Sequence, residues 1–150
     1  MKRSLLSLVL FAFALPAMAD TETGTLNVTA SVPGTCTIGD ATLAFGSYTG
    51  AELDASTDFT VACTGGIEWD WIGLDGTIGS RTMDDGGTET LAYELYTDSD
   101  RLDAWGNLET DGLPYGAGYA TTVPVYGRIE AGASPAAGSY SATVTATVNF

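Results

Sequence analysis

The sequence predicts an all-β fold, a sandwich or barrel of short strands. Beyond residue 19, no stretch keeps the 3.6-residue apolar period of an amphipathic helix, whereas several stretches alternate with a period of two. The 19 glycines, together with serine and threonine, interrupt the chain about every eight to twelve residues, which is the strand spacing of small all-β domains. No repeat, linker or charge block divides this region, so we expect a single domain.

The first 19 residues are typical of an export signal. Two basic residues precede an apolar run over residues 5–15, and Ala17-Met18-Ala19 offers a small-residue cleavage site before Asp20. The apolar run is too short to span a bilayer, which takes roughly 20 residues. We therefore expect residues 1–19 to be removed on export, the protein to be secreted, and no stable membrane insertion.

Without that signal the chain is strongly acidic. Three arginines then face 19 acidic residues, a net charge of −16, and neither lysine nor histidine remains. Such a surface repels nucleic acids and anionic membranes. It also lacks the commonest general base and the Schiff-base nucleophile, and no carboxylate pair stands out as a glycosidase pair. The composition argues against a nucleic-acid partner and against an enzyme.

Cys36 and Cys63 are the two cysteines of the chain. In an exported protein an even pair predicts a disulfide, because the compartment is oxidising. A metal site is the alternative, but two thiols without histidine are an incomplete set of zinc ligands. We predict a disulfide and no metal or other cofactor.

Taken in order, the predicted strands are separated by turn signals such as Pro33-Gly34, Gly65-Gly66 and Asp111-Gly112. The strands are expected at residues 26–32, 35–38, 43–45, 57–63, 67–74, 81–83, 90–97, 120–128 and 139–150.

The last of these strands holds its alternation to the final residue. Every even position from Tyr140 to Phe150, including Val144 and Val148, is apolar, and every odd position is Ser, Thr or Asn. Chain ends usually fray, so this pattern indicates that the end is held by a neighbour. No later strand of the chain is present to pair with it.

The first strand alternates as well. Leu26, Val28, Ala30 and Val32 are apolar, and the residues between them are polar. This segment is either an ordinary first strand or an extension that is offered to another subunit. Periodicity alone does not separate the two interpretations.

A set of motifs along the chain resembles the spore coat protein U domain family, the pilin subunits of archaic chaperone–usher pili. The motifs are Cys36-Thr-Ile, Leu43-Ala-Phe-Gly-Ser-Tyr48, Phe59-Thr-Val-Ala-Cys63, Leu91-Ala-Tyr-Glu-Leu-Tyr-Thr-Asp98 with Arg101 and Trp105-Gly106, Val125-Tyr-Gly-Arg-Ile129, Pro135-Ala-Ala-Gly-Ser-Tyr140 and Val144-Thr-Ala-Thr-Val-Asn-Phe150. The segment Ile67-Glu-Trp-Asp-Trp-Ile-Gly-Leu74 departs from the family pattern, with two tryptophans where smaller residues are usual.

The resemblance implies an incomplete immunoglobulin-like sandwich that lacks its final strand and is completed by donor-strand complementation. It implies a donor segment over residues 20–34, with Leu26, Val28, Ala30 and Val32 as inserted side chains, and a pilin domain over residues 35–150. The receiving edge would include Tyr140, Val144, Val148 and Phe150. The implied partners are other pilin subunits, a periplasmic chaperone and an outer-membrane usher. The product would be a surface fimbria for adhesion or biofilm.

Two other functions stay open at this point. Trp69, Trp71 and Trp105 could stack on sugar rings in a carbohydrate-binding or adhesive module; Trp69 and Trp71 would share one strand face, which is either core or exposed. The acidic run from Asp98 to Asp103 could bind calcium, although it lacks the residue spacing of an EF-hand loop. An acidic turn whose charge is offset by Arg101 is the interpretation that we favour there.

Overall fold

The structure, a computed structural model, describes residues 20–116 and 119–150, so the predicted export signal lies outside the described residues. All regular structure in the described part is β. Its nine strands are β1 (Cys36–Ile38), β2 (Leu53–Cys63), β3 (Trp69–Leu74), β4 (Thr82–Asp84), β5 (Thr90–Ala92), β6 (Glu94–Tyr96), β7 (Leu113–Gly116), β8 (Thr121–Ile129) and β9 (Ala146–Asn149). No helix long and apolar enough to cross a membrane occurs among these described residues.

The strands form three antiparallel sheets. The largest has the order β1-β2-β8-β6, the second has the order β7-β3-β9, and β4 and β5 form a separate two-stranded ribbon. In the two larger sheets, β1 and β6, and β7 and β9, are edge strands. Each of these four strands is hydrogen-bonded to a neighbouring strand of its sheet on one side only.

A shared hydrophobic core joins the two larger sheets into a sandwich. Phe59 of β2 and Val125 of β8 contribute from one sheet, and Ile72 of β3 contributes from the other. Between them lies Trp105, which is fully buried and donates its indole Nε1–H to the carbonyl oxygen of Ile72 at 2.8 Å. That bond satisfies the one polar group of a large buried ring.

The predicted disulfide is confirmed. Cys36 and Cys63 are bonded to each other and lie directly opposite in the antiparallel pair of β1 and β2. The bond therefore fixes the short edge strand β1 to the long strand beside it.

Several predicted strands differ in extent from the observed ones. Residues 43–45 are not a strand, the predicted strand 139–150 is reduced to β9, and the predicted strand 90–97 is divided. The division falls at Tyr93, whose N–H donates to the carbonyl oxygen of Arg81 at 3.0 Å. The chain thereby changes sheets, because β5 pairs with β4 and β6 pairs with β8.

Strand β7 was not predicted, and its composition explains the omission. It contains Pro114 and ends at Gly116, residue types that are depleted in strands. Its position comes from contact with β3: a Cβ on Gly116 would lie 1.8 Å from Cζ2 of Trp69. Only glycine leaves room for that indole ring, so packing decides the strand and propensity does not.

The chain divides into two units, residues 1–31 and 32–150. Of the first unit, residues 20–31 are described; they contain no strand, and their side chains are exposed. The predicted strand 26–32 is therefore wrong for the isolated chain. The alternation in its sequence is present, but a strand also needs a neighbour for its backbone groups.

Candidate functional site

Strand β9 has one paired side and one open side. In register with β3, Val148 lies opposite Ile72 and Ala146 lies opposite Leu74. Further toward the N-terminus, the carbonyl oxygen of Thr145 accepts the N–H of Asp75 at 2.9 Å. Among residues 20–116 and 119–150, no strand pairs with the opposite edge of β9. An unpaired strand edge is a template for pairing with another chain.

A second segment, residues 39–50, connects the end of β1 to the start of β2 without forming a strand. Gly39 donates its N–H to the carbonyl oxygen of Thr60 at 2.8 Å, and the carbonyl oxygen of Gly50 accepts the N–H of Gly132 at 3.0 Å. Between those two points, residues 40–49 make no backbone–backbone hydrogen bond within the described part of the chain. Their peptide groups are left to water or to a partner.

Side-chain packing holds this segment in place. Leu43 and Phe45 are half-buried, Ala44 between them is exposed, and both larger side chains cover Gly127 of β8. A Cβ on Gly127 would lie 2.8 Å from Cζ of Phe45. At the far end, the hydroxyl of Tyr48 donates to the carbonyl oxygen of Glu130 at 2.7 Å.

Two cavities lie between residues 38–50 on one side and residues 133–146 on the other. The cavity of about 970 Å³ is bounded mainly by residues 43–50 and 133–140. The second, of about 660 Å³, is bounded mainly by residues 38–43 and 140–146. Both reach the core, because Ile129 lines the first and Phe59 lines the second, and each is at most 6% exposed. We call this continuous depression the groove, residues 38–50 its first wall and residues 133–146 its second wall.

A buried ion pair supports the floor of the groove. Arg81 is 4% exposed, and its guanidinium donates to the carbonyl oxygens of Leu74 at 3.1 Å, Asp75 at 3.0 Å and Trp105 at 2.7 Å. Its remaining Nη pairs with the carboxylate of Glu94. The pair fixes three separate segments to one another, and all of its polar atoms find partners, as a buried charge requires.

The other two arginines of residues 20–150 lie outside this floor. Arg101 donates to the carbonyl oxygen of Gly127 at 3.1 Å, and Arg128 makes a bidentate pair with Asp54 at 2.8 and 3.0 Å. The hydrogen bond from Arg128 lowers the pKa of Asp54 below its ordinary value, and the nearby charge of Arg101 adds to this effect. Neither arginine lines the groove, so its walls carry no positive charge.

The residues predicted for the receiving edge occupy different parts of this site. Tyr140 lines both cavities, and Val144 lines the smaller one. Val144 and Val148 pack against the core while remaining half-buried. Phe150 lies past the end of β9 and is 56% exposed. Burial of the tyrosine ring raises the pKa of Tyr140, and the nearby carboxylates of Asp85 and Glu89 raise it further.

The predicted donor side chains are fully presented to solvent. Leu26 is 85% exposed, Val28 is 84% exposed and Val32 is 86% exposed. Ala30 is exposed as well. Exposing a row of apolar side chains to water is energetically unfavourable, and exposed apolar patches commonly mark binding surfaces.

Sequence reasoning did not identify the first wall or Met83 as parts of the site. Leu43, Phe45 and Met83 all line the groove. The alternation in Leu43-Ala44-Phe45 is the available signal, and it is equally typical of an internal strand.

The burial of two of the three tryptophans argues against the hypothesis that they form a platform for sugar binding. Trp69 is 2% exposed and Trp105 is fully buried, so neither presents a ring face to solvent. Trp71 is half-buried, and its ring lies close to Gly73 and Gly112. The expected alternation along β3 fails because Trp69 packs into the core together with Ile72 and Leu74.

The acidic run closes a turn. The carboxylate of Asp98 accepts the N–H of Leu102 at 3.1 Å and that of Asp103 at 2.8 Å, and Arg101 has a positive φ of 57°. These backbone hydrogen bonds, that from Asp103 above all, lower the pKa of Asp98. The carboxylate of Asp98 therefore stabilises the turn by accepting these hydrogen bonds.

Together, the sheets and the groove define an all-β sandwich of the immunoglobulin-like type with one strand position open. The sequence pattern of the Spore Coat Protein U domain matches residues 22–147. Protein U of Myxococcus xanthus is 37% identical over 167 aligned residues, which cover 96% of this chain and 92% of that protein. The chain belongs to the spore coat protein U domain family.

A solved structure has the same fold. The chain superposes with a TM-score of 0.51 and 21% identity on a chain from the crystal structure of the CsuC–CsuE chaperone–tip adhesion subunit pre-assembly complex from archaic chaperone–usher Csu pili of Acinetobacter baumannii. The match covers 79% of this chain and 40% of that chain, so this protein spans less than half of its structural neighbour. The likeness confirms the predicted fold class.

Proposed function

We propose that this protein is a structural subunit of a chaperone–usher pilus, and that it polymerises by inserting residues 20–34 of one copy into the groove of the next. One observation carries the proposal. The second wall, which leads into the open edge of β9, lies across the groove from residues 40–49, whose peptide groups make no backbone–backbone hydrogen bond among the described residues, above a floor of core side chains. One added strand would satisfy both edges and cover the floor.

The N-terminal segment has the chemistry of such a strand. Its apolar side chains alternate with Asn27, Thr29 and Ser31, so one face would enter the groove and the other would meet water. Burying a leucine or valine side chain contributes about 1.5–3 kcal/mol. The polar face explains why the segment stays soluble while it is exposed.

The same groove accounts for the proposed partners. Before assembly, an exposed edge of this kind invites aggregation, so a periplasmic chaperone would lend a strand to it. An outer-membrane usher would then exchange that strand for the segment of the next subunit. The fibre would be displayed on the cell surface and serve adhesion or biofilm formation. Its role is structural, and no step of it requires a catalytic residue or a cofactor.

The experiment compares two doubly charged variants of the chain from Asp20 to Phe150. Leu26→Asp with Val28→Asp places two carboxylates on the apolar face of the segment; Asn27→Asp with Thr29→Asp places two on the polar face. Inserting a charge into an apolar groove is strongly unfavourable, so the first variant should remain unassembled in sedimentation velocity, whereas the second should form the same oligomers as the unmodified chain. Equal assembly of both variants would rule out insertion of this face.

A further inference from the structure

The donor segment and the domain that would receive it carry charge of the same sign. Residues 35–150 hold 17 carboxylates and three arginines, a net charge of −14 for the domain alone. Residues 20–34 hold Asp20 and Glu22 and no basic side chain. A free α-amino group at residue 20 would offset only one of those two charges. Each copy therefore offers a negative strand to a negative acceptor.

Carboxylates lie on both sides of the groove. Asp40 belongs to the first wall and is the one charged side chain among the described residues that line the groove. On the other side, a Cβ on Gly138 of the second wall would lie 3.8 Å from Cβ of Asp85. The carboxylates of Asp85 and Glu89 also lie near the ring of Tyr140, which lines both cavities. The negative charge of the domain thus extends to the place where a strand would enter.

The three arginines of residues 20–150 do not neutralise these carboxylates. Arg81 lies beneath the floor of the groove, paired with Glu94. Arg101 and Arg128 both contact the carboxylate of Asp54, at 3.2 and 2.8 Å, and neither lines the groove. An entering strand therefore meets carboxylates and no guanidinium group along the walls.

Like charges slow the encounter of two molecules, and salt shortens the range of that repulsion. Complementary fields raise association rates by roughly 10- to 1,000-fold at low ionic strength, and the same fields act against a partner of the wrong sign. The screening length falls from about 30 Å at 0.01 M salt to about 10 Å at 0.1 M. Contacts inside an apolar groove involve no pair of charges, so the salt dependence should fall on association and not on dissociation.

Resting on the proposed function, we propose that this shared charge restrains the assembly of free copies, so that ionic strength sets the rate at which residues 20–34 of one copy enter the groove of another. Every copy carries both an open groove and a segment that fits it. Charge repulsion is then what delays polymerisation when two free copies meet. A strand donor of opposite charge escapes the restraint, because the same potential attracts it.

The test uses an acceptor that cannot donate its own strand. It is the chain from Asp20 to Phe150 with Leu26→Asn and Val28→Asn, which adds no charge; both positions are more than four-fifths exposed, so the folded domain should be unchanged. Association and dissociation rates of labelled peptides are measured by stopped-flow fluorescence anisotropy in about 0.01 M and about 0.1 M sodium chloride, where the screening lengths differ threefold.

Three acetylated peptides of residues 20–34 are compared, each with a rhodamine label of no net charge at its C-terminal end. They are the native peptide, a peptide with Asp20→Asn and Glu22→Gln, and a peptide with Asp20→Lys and Glu22→Lys, with net charges of −2, 0 and +2. All changes precede Leu26, so the alternating apolar face is identical in the three.

The native peptide should associate roughly tenfold faster at the higher salt concentration, and the uncharged peptide should change by less than about twofold. The lysine peptide should associate more slowly as salt is added, because its attraction is screened. Dissociation rates should agree within about twofold throughout, since the apolar face is shared. The unmodified chain should likewise form oligomers faster at the higher salt concentration in sedimentation velocity.

Each outcome has a separate meaning. If the three peptides bind with one common salt dependence, salt acts on apolar burial and this inference is wrong, while the proposed function stands. The inference is equally wrong if the native peptide associates no faster when salt is added, or if salt changes its dissociation alone. If none of the peptides binds at either concentration, strand donation is overturned, and the restraint with it.

Discussion

Val148 of β9 lies directly opposite Ile72 of β3, and on its other side no strand of the described chain is in register with it. Ile72 is fully buried, whereas Val148 is only half-buried. The core is therefore fully covered at Ile72 of β3 and still partly exposed to solvent at Val148 of β9.

Gly127 sets the position of the first wall. Gly127→Ala should displace Phe45, because the new Cβ would lie 2.8 Å from Cζ of that ring. We expect a loss of about 1–3 kcal/mol in the free energy of unfolding, measured by urea denaturation. Gly65→Ala is the matched control, since its Cβ would meet nothing within 4 Å. Equal stability of the two variants would contradict this packing.

The buried Arg81 should matter far more than Arg128, which is only half-buried. Arg81→Met removes the partner of Glu94 and leaves three carbonyl oxygens without their donor. A loss of about 3–5 kcal/mol in the free energy of unfolding is expected. Arg128→Met removes a pair at the surface and should cost about 0–1 kcal/mol. Similar denaturant midpoints for the two variants would refute the supporting role of Arg81.

The disulfide should contribute stability through the loop that it closes. Cys36 and Cys63 are separated by 27 residues, and a loop of this length corresponds to roughly 3–4 kcal/mol in the chain-entropy model. Cys36→Ser with Cys63→Ser should lower the free energy of unfolding by about that amount. Reduction of the unmodified chain should lower it equally and should leave the double variant unaffected. A reduced chain as stable as the oxidised one would contradict the prediction.

The turn at Asp98 should show a defined pH dependence. Its pKa is lowered in the folded chain by the backbone hydrogen bonds that it accepts. A carboxyl group with a lowered pKa stabilises the fold above its unfolded pKa, near 3.9, and loses that contribution as the pH falls through its folded value. Asp98→Asn should therefore be less stable than the unmodified chain at pH 6.

That deficit should shrink steadily below about pH 4, in urea unfolding curves recorded at several pH values. Comparing the two chains at each pH cancels the relief of charge repulsion that acid brings to such an acidic protein. A deficit that stays constant from pH 6 to pH 2.5 would show that the ionised carboxylate is not the stabilising species.

The two longest strands, β2 and β8, were largely predictable from the sequence. β2 and β8 alternate strictly and lie side by side over nine residue pairs, so their local pattern and their tertiary environment agree. The disulfide followed from the export signal and the number of cysteines. These features depend on information that each segment itself carries.

The site was only half predictable, because it depends on the absence of a neighbouring strand, and a local sequence pattern does not show whether a neighbour is present. Residues 43–45 alternate like a strand, but their backbone has no neighbour, so they form a wall instead. Residues 26–32 alternate as clearly and remain without a strand. Periodicity reports which face is apolar; it carries no information on which chain will cover that face.

The meeting of Leu43, Met83 and Tyr140 in the groove lay beyond sequence reasoning for a different reason. Met83 sits in a three-residue strand, and Tyr140 follows a loop of small residues. Nothing local marks them as neighbours of Leu43, nearly a hundred residues before that tyrosine. Their meeting is a product of the folded topology.

Hydrogen exchange at the two facing edges tests the central claim most directly. The backbone amides of residues 40–49 and 142–144 should exchange quickly in the chain with Leu26→Asp and Val28→Asp, and slowly once the peptide of residues 23–34 is bound. Amides that are already slow in the free chain, or that remain fast with the peptide bound, would contradict an open strand position filled by a second copy.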